Sequence, residues 1–187
     1  MSARLVYLIK HASPSIEPNV RAERWRLSER GIEEARGLAE AAERWEVQSL
    51  YASSEPKASA TALIIGERVG LTPSVVEGLE EIRINWIGNA DEYSEFIRDV
   101  LEHPERSLRG TETAAAAARR FGAAMTIVTA GALPAAVVAH GRVLSAYLAD
   151  LLALEDPFGF WRAMPMASWC CLDVDARKLR GEFTAAP

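Results

Sequence analysis

Short runs of β-forming residues alternate along this chain with longer segments of helical periodicity. This alternation is typical of a sheet that is covered by helices on both faces. We therefore predict an α/β fold, a three-layer α/β/α arrangement around a mostly parallel central sheet. The four strands that alternate with helices are predicted at about Arg4 to Ile9, Ser49 to Ala52, Ser74 to Val76 and Ala135 to Ala139.

The length of 187 residues favours one domain, residues 1–187. The segment from Arg83 to Arg109 interrupts the alternation, because it carries helical periodicity but no strand pattern. We predict that it forms a small helical cap. A further helix is expected over about 110–129, and two strands are expected near the C-terminal end, at about Trp169 to Val174 and Gly181 to Thr184.

Composition excludes several classes of function. The net charge of -5 argues against nucleic-acid binding, which usually requires a basic face. No apolar run is long enough to cross a bilayer and no signal-peptide pattern is present, so we expect no membrane partner and a cytoplasmic location. No cluster of histidines and cysteines has the spacing of metal ligands, so we expect neither a metal site nor a cofactor.

Two of the three histidines directly follow predicted strands. Lys10 and His11 come after the first strand, and His140 comes after the strand that ends at Ala139. Ligands of open α/β sheets bind at the carboxyl ends of the strands. A single histidine at such a place is more often a hydrogen-bonded rim residue. The presence of Lys57 and Glu81 near the ends of other strands favours a catalytic pocket.

Five segments of the chain resemble, in order and spacing, the motifs of the histidine phosphatase superfamily, also called phosphoglycerate-mutase-like. The resemblance extends over nearly the whole chain. Each motif alone is weak, but five in the same order are specific. The segments are Leu8 to Ala12, Trp25 to Gly31, Tyr51 to Ala62, Leu79 to Ile82 and Val137 to Gly141.

The resemblance implies a phosphatase with a phosphohistidine intermediate. By position, His11 accepts the phosphoryl group and Glu81 donates a proton, while Lys10, Lys57 and His140 surround the phosphate. Phosphoryl transfer needs an in-line nucleophile and positive charge around the equatorial oxygens. Two lysines and a protonated or hydrogen-bond-donating histidine supply that charge without a metal. A carboxyl such as Glu81, if its pKa is raised, protonates the leaving oxygen.

The chain departs from the family at two cations of the expected phosphate pocket. Lys10 and Lys57 stand where the family has arginines, and a lysine cannot reproduce the bidentate fork of a guanidinium. Hydrolysis of a small phosphomonoester is the leading interpretation, with Arg83 of the cap as a substrate contact. Two alternatives stay open: phosphoglycerate-mutase-type transfer, against which the short chain weighs, and a weakened member that binds a phosphorylated ligand. The lack of a glycine-rich loop after the first strand disfavours an unrelated nucleotide-binding fold.

Overall fold

One seven-stranded sheet organises the computed structural model, which describes residues 3–84, 89–109 and 111–187. Within these ranges the strands are β1 (Leu5–Lys10), β2 (Ser49–Ala52), β3 (Ser74–Val75), β4 (Ala135–Ala139), β5 (Ser168–Asp173), β6 (Lys178–Leu179) and β7 (Thr184–Ala185). The helices are α1 (Glu29–Ala42), α2 (Pro56–Val69), α3 (Ala90–Glu102), α4 (Ala114–Ala130), α5 (Gly141–Leu152) and α6 (Pro157–Ala163).

The sheet combines a parallel half with an antiparallel edge. Its strand order is β3-β2-β4-β1-β5-β6, with β7 paired to β5. The first four strands in this order are mutually parallel, whereas β5 pairs antiparallel with β1, β6 and β7. The predicted α/β class is confirmed.

The strand β4 lies between the two apolar cores of the domain, and all five of its residues are buried. Val137 and Ala139 face a core that includes α3, α4 and α5. Ala136 and Val138 face the opposite core, which α1 and α2 cover. A strand buried on both faces reads as a continuous apolar run, as it does here. The predicted three layers are confirmed.

The C-terminal strands differ from the prediction. The strand expected at Gly181 to Thr184 is wrong, because β6 ends at Leu179 and β7 begins only at Thr184. Gly181 has φ +106, a conformation that turns the chain and that glycine adopts without strain. The two short strands therefore pair with β5 separately.

The described part of the predicted cap contains α3, which packs against α5 and α6. Ile97, Val100 and Leu101 of this helix are buried in the same core as α4 and α5. Residues 85–88 of the predicted cap and Gly110 lie outside the described residues. None of the described helices has the length and apolar character needed to span a membrane.

The start of α1 holds the loop that follows β1 and His11. Ser28 caps the helix by accepting a hydrogen bond from the Gly31 N–H at 3.0 Å, and its own N–H and hydroxyl both donate to the carbonyl of Ser13 at 3.0 Å. The Ser13 N–H in turn donates to Glu34 Oε2 at 2.8 Å. The sequence around Ser28 thus positions the loop beside the first histidine.

We predict that Gly31→Ala destabilises the protein. A Cβ at this position would lie 3.0 Å from the carbonyl carbon of Ser13 and closer still to its oxygen, so the backbone must shift. The expected loss is about 1–3 kcal/mol of unfolding free energy, measured by urea denaturation. Gly122→Ala in α4 is the control, because its nearest neighbour, Tyr147 Cε2, would be 3.8 Å away. Equal stability of the two variants would contradict this account.

Candidate active site

The carboxyl ends of β1, β2 and β4 meet at one edge of the sheet. The hydrogen bonds that pair β1 and β2 with β4 continue for one residue beyond the ends of β1 and β2. The His11 N–H donates to Ala139 O, and the Ser53 N–H donates to Val138 O, both at 3.0 Å. His140 follows β4 between them. The ring centroids of His11 and His140 are 5.0 Å apart. The two histidines that the sequence singles out therefore lie together.

His11 is held as a neutral imidazole. Its Nδ1 lies 2.7 Å from the carbonyl oxygen of Ala12, which can only accept, so Nδ1 carries the hydrogen and Nε2 keeps its lone pair. Burial lowers the pKa of His11 to about 4, and the charges of Lys57 and Lys10 act in the same direction. A neutral imidazole with a free Nε2 is the form that can attack phosphorus.

His140 is fully buried beside the second strand end. Its Nε2 lies 2.8 Å from Ser53 Oγ and 3.7 Å from Glu55 Oε1. Among the described residues its Nδ1 has no hydrogen-bond partner. Burial holds the pKa of His140 well below its usual value, and the neighbouring His11 contributes. Burial and the neighbouring His11 therefore favour the neutral form of His140, and its predicted role at the phosphate stays a prediction.

Lys10 occupies the last position of β1, where its Nζ donates to the Met164 carbonyl at 3.0 Å. Burial lowers the pKa of Lys10, while the charge of Glu81 opposes that effect. Gly141 leaves room for this side chain, since a Cβ there would lie 3.1 Å from Lys10 Cε. The glycine after His140 is thus explained by the close approach of the lysine.

Lys57 lies in the first turn of α2, and only 5 % of its surface is exposed. Its Nζ forms an ion pair with Glu55 and also donates to the Ala22 carbonyl at 2.9 Å. Its charge contributes to the lowered pKa of His11. The structure therefore brings Lys57 to the histidine pair, but with a carboxylate of the chain already bound to it.

Glu81 is held by hydrogen-bond donors on both of its carboxylate oxygens. Oε1 accepts from the N–H groups of Ile82 at 2.9 Å and Val143 at 2.8 Å, and Oε2 accepts from the Arg142 N–H at 3.2 Å. The guanidinium of Arg142 adds an ion pair at 3.1 Å. Burial acts to raise the pKa of Glu81, but Arg142 and the backbone donors outweigh it and hold the pKa below its usual value. The predicted proton-donor role assumes a raised pKa, which the ligand-free site does not show, and that role stays a prediction.

Two charged residues of the site are missing from the sequence-based prediction. Arg142 follows the second-histidine motif directly, and its Nη1 donates to the hydroxyl of Tyr93 on α3 at 3.1 Å. Glu55 lies two residues before Lys57, is 7 % exposed, and accepts from the Glu81 N–H at 2.8 Å. Glu55 is a charged residue inside the motif from Tyr51 to Ala62, and Arg142 is a charged residue directly after the motif from Val137 to Gly141; these positions are the only signal that the sequence offers.

Arg83 lies two residues beyond Glu81 with an exposed side chain. Its backbone N–H donates to Glu112 Oε2 at 3.2 Å, and its carbonyl accepts from the Glu112 N–H at 3.0 Å. Its predicted contact with substrate stays a prediction.

The family model of the histidine phosphatase superfamily (branch 1) matches residues 6–184 of the chain. The chain belongs to this superfamily, and the expected class of enzyme, a phosphatase, is confirmed. A comparison with the sequences of curated proteins found no significant match.

Several solved structures are similar to the whole chain. Mycobacterial hydrolase 1 has a TM-score of 0.80 and 24% identity, over 99% of this chain and 100% of that one. The mycobacterial glucosyl-3-phosphoglycerate phosphatase has a TM-score of 0.76 and 25% identity, over 100% of both chains. A putative alpha-ribazole-5'-P phosphatase from Escherichia coli has a TM-score of 0.70 and 18% identity, over 99% of this chain and 96% of that one.

Thr61 links the two halves of the site. Its buried hydroxyl accepts from the Ala12 N–H at 3.1 Å and donates to the Lys57 carbonyl at 2.8 Å. The hydroxyl thereby joins the loop after His11 to the helix that carries Lys57. Thr61 is a positioning residue, since its bonds go to backbone atoms of both elements.

We predict that Thr61→Val costs about 1–3 kcal/mol of stability, because it leaves the buried Ala12 N–H without a partner. Its kcat should fall more than its KM changes, because His11 loses its alignment with the bound ester. Thr61→Ser keeps the hydroxyl and should retain kcat, with a stability loss of about 1 kcal/mol for the missing methyl group. Denaturation and steady-state kinetics of both variants measure this; valine and serine variants of equal kcat would contradict it.

Proposed function

We propose that this protein hydrolyses a small phosphomonoester, without a metal ion, through a phosphohistidine on His11. The observation that carries the proposal is the neutral His11, anchored through Nδ1 with its lone pair on Nε2, beside two lysines and a second buried histidine. Membership of the histidine phosphatase superfamily supports the same chemistry.

In the first step the His11 Nε2 lone pair attacks phosphorus, the ester P–O bond breaks, and the leaving oxygen takes a proton from Glu81, the predicted donor. The phosphate oxygens take the place of the backbone carbonyls that Lys10 and Lys57 now contact, Met164 O and Ala22 O. The two ammonium groups then offset the charge of the equatorial oxygens. In the second step the Glu81 carboxylate accepts a proton from the attacking water, the N–P bond breaks with its electron pair returning to His11 Nε2, and inorganic phosphate leaves.

The proposed substrate class is a small phosphate ester. Two similar structures are named as phosphatases of glucosyl-3-phosphoglycerate and, as a putative activity, alpha-ribazole-5'-P. The helix α3 brings Tyr93 to Arg142 beside the site. These names support a small ester as the substrate, and Arg83 is the proposed substrate contact from the predicted cap segment, which also contains α3.

A weakened member that binds phosphorylated ligands is the second candidate. The observation that favours it is the ion pair of Lys57 with Glu55, since one phosphate-binding cation is already neutralised. Mutase-type transfer, the other alternative, shares the first step and differs in the acceptor. Product analysis distinguishes it, because a mutase returns an isomeric ester and a phosphatase returns inorganic phosphate.

We predict that His11 becomes phosphorylated during turnover. With a chelator present throughout, rapid quench of a labelled ester should give an acid-labile label on His11, and His11→Ala should lose at least about 1,000-fold in kcat. His103→Ala is the control, because His103 is exposed on the end of the cap helix. Wild-type activity in His11→Ala would refute the mechanism. Binding of phosphate without any turnover would favour the weakened member.

We predict that His11 stays neutral well into the acid range. Its pKa of about 4 means that a falling pH adds the proton, and removes the Nε2 lone pair, only below about pH 5. The ring resonances of His11 in an NMR titration should therefore be constant from about pH 7 to 5 and change near 4. A midpoint close to 6.5, the value of an unperturbed histidine, would contradict the burial argument.

A further inference from the structure

Ser53 places a buried hydroxyl beside the second histidine of the site. Its backbone is held on both sides, because its N–H donates to Val138 O at 3.0 Å and its carbonyl accepts from Ser59 Oγ at 2.8 Å. The residue is 0 % exposed, and its Oγ lies 2.8 Å from His140 Nε2. The hydroxyl therefore occupies a fixed position next to one nitrogen of His140.

The partners of this hydroxyl indicate the direction of its bond to His140. Within residues 3–84, 89–109 and 111–187 it has two hydrogen-bond partners, His140 Nε2 at 2.8 Å and the backbone N–H of Glu55 at 3.2 Å. The Glu55 N–H can only donate, so Ser53 Oγ accepts from it. The hydrogen of the hydroxyl has one remaining partner, His140 Nε2, which can accept it if that nitrogen keeps its lone pair. In a neutral imidazole the hydrogen then lies on Nδ1.

The opposite tautomer of His140 leaves more buried groups without a partner. With the hydrogen on Nε2, that nitrogen would donate to Ser53, and both the Ser53 O–H and the Nδ1 lone pair would lack a partner in the described part of the chain. With the hydrogen on Nδ1, only the Nδ1–H lacks one there. A buried donor or acceptor without a partner costs free energy, so the tautomer with hydrogen on Nδ1 is favoured.

The carboxylate of Glu55 does not reverse this preference. Its Oε1 lies 3.7 Å from His140 Nε2, beyond hydrogen-bond distance, and already accepts from the Glu81 N–H at 2.8 Å. Its Oε2 pairs with Lys57, whose positive charge offsets that of the carboxylate. The hydrogen bond of Nε2 therefore goes to the Ser53 hydroxyl.

We propose that Ser53 is a positioning residue: it fixes His140 in the tautomer with hydrogen on Nδ1, and this Nδ1–H donates to an oxygen of the phosphoryl group on His11. The inference deepens the proposed function and rests on it. It gives a partner to the nitrogen of His140 that has none among the described residues. The rings of His140 and His11, with centroids 5.0 Å apart, bring this donor to the reacting group.

The tautomer matters because phosphoryl oxygens are hydrogen-bond acceptors. An Nδ1–H stabilises the negative charge that develops on them, whereas a lone pair on Nδ1 would repel it. The donor is available on a neutral ring, the form that burial favours for His140. His140 neither gains nor loses a proton in this role, so the proton transfers of the proposed mechanism stay with Glu81.

Nitrogen NMR of the ligand-free wild type measures the tautomer directly. Long-range ¹H–¹⁵N correlation distinguishes a ring nitrogen that carries hydrogen from one that carries a lone pair. We expect hydrogen on Nδ1 of His140 and a lone pair on its Nε2. The chain has three histidines, so His103→Gln and His140→Asn assign the signals. Hydrogen on Nε2, or on both nitrogens, would overturn the proposal.

Inorganic phosphate tests the contact of Nδ1 with the phosphoryl oxygens. When phosphate saturates the wild type, as followed by calorimetry, the Nδ1–H proton of His140 should shift to lower field because it gains a hydrogen bond. The Nε2 nitrogen should keep its lone pair. An Nδ1–H that does not respond to bound phosphate would overturn the donor role. Both NMR measurements use the intact wild type and decide even if a variant fails to fold.

Ser53→Ala removes the donor to His140 Nε2. Glu55 Oε1, at 3.7 Å, is then the acceptor beside this nitrogen, so the hydrogen should move to Nε2. We expect kcat and the affinity for inorganic phosphate each to fall at least about tenfold, because Nδ1 no longer donates. Ser54→Ala is the matched control, since this exposed neighbour donates to Glu80 Oε1 at 2.9 Å. It should keep both the tautomer and the rate. A Ser53→Ala variant that keeps hydrogen on Nδ1, whatever its activity, would overturn the proposal.

These measurements separate the role of Ser53 from the proposed function. A wild type that neither hydrolyses esters nor forms a phosphohistidine refutes the proposed function, and the catalytic part of this inference with it. The tautomer of the ligand-free protein is measured in either case. Normal turnover with hydrogen on His140 Nε2 leaves the hydrolase mechanism standing and refutes only the role of Ser53.

Discussion

The parallel pairing of β4 with both β1 and β2 is the constraint on which the site depends. Because the ladder extends through His11 N–H to Ala139 O and through Ser53 N–H to Val138 O, the residues after the three strands emerge side by side. The backbone N–H groups of His11 and Ser53 are bonded to β4, and His140 directly precedes α5. The two apolar cores that bury β4 on both faces fix the strand register, and with it the contact between His11 and His140.

Burial is the second physical factor of the site. It lowers the pKa of both histidines and of Lys10, and it raises that of Glu55. A desolvated site favours neutral forms unless a partner is close. Lys57 and Glu55 form one ion pair, and Arg142 and Glu81 form another, so each of these buried charges has a partner of opposite sign. The chain thus satisfies the charges of these four buried side chains internally.

The two lysines at the pocket have to be considered together with the carboxylates. Compared alone with the family pattern, Lys10 and Lys57 indicate a loss of bidentate phosphate contacts. The structure adds a third cation, Arg142, and a second carboxylate, Glu55, both in direct contact with family-motif residues. In this set Arg142 pairs with Glu81 and Lys57 pairs with Glu55, and Lys10 makes the cations exceed the carboxylates by one.

The sequence alone determined the layered α/β class and the strands from β1 to β4, because buried strands and amphipathic helices leave patterns in neighbouring residues. It also determined the family, because five motifs occur in the family's order. It also placed both histidines at strand ends. Only the tertiary structure decided which charges meet, since Glu55, Glu81 and Arg142 come from distant segments and their protonation depends on burial and partners that no local pattern encodes. The strand predicted at Gly181 to Thr184 was wrong because its position depends on tertiary structure as well. The chain turns at Gly181, and only pairing with β5 sets where β7 begins.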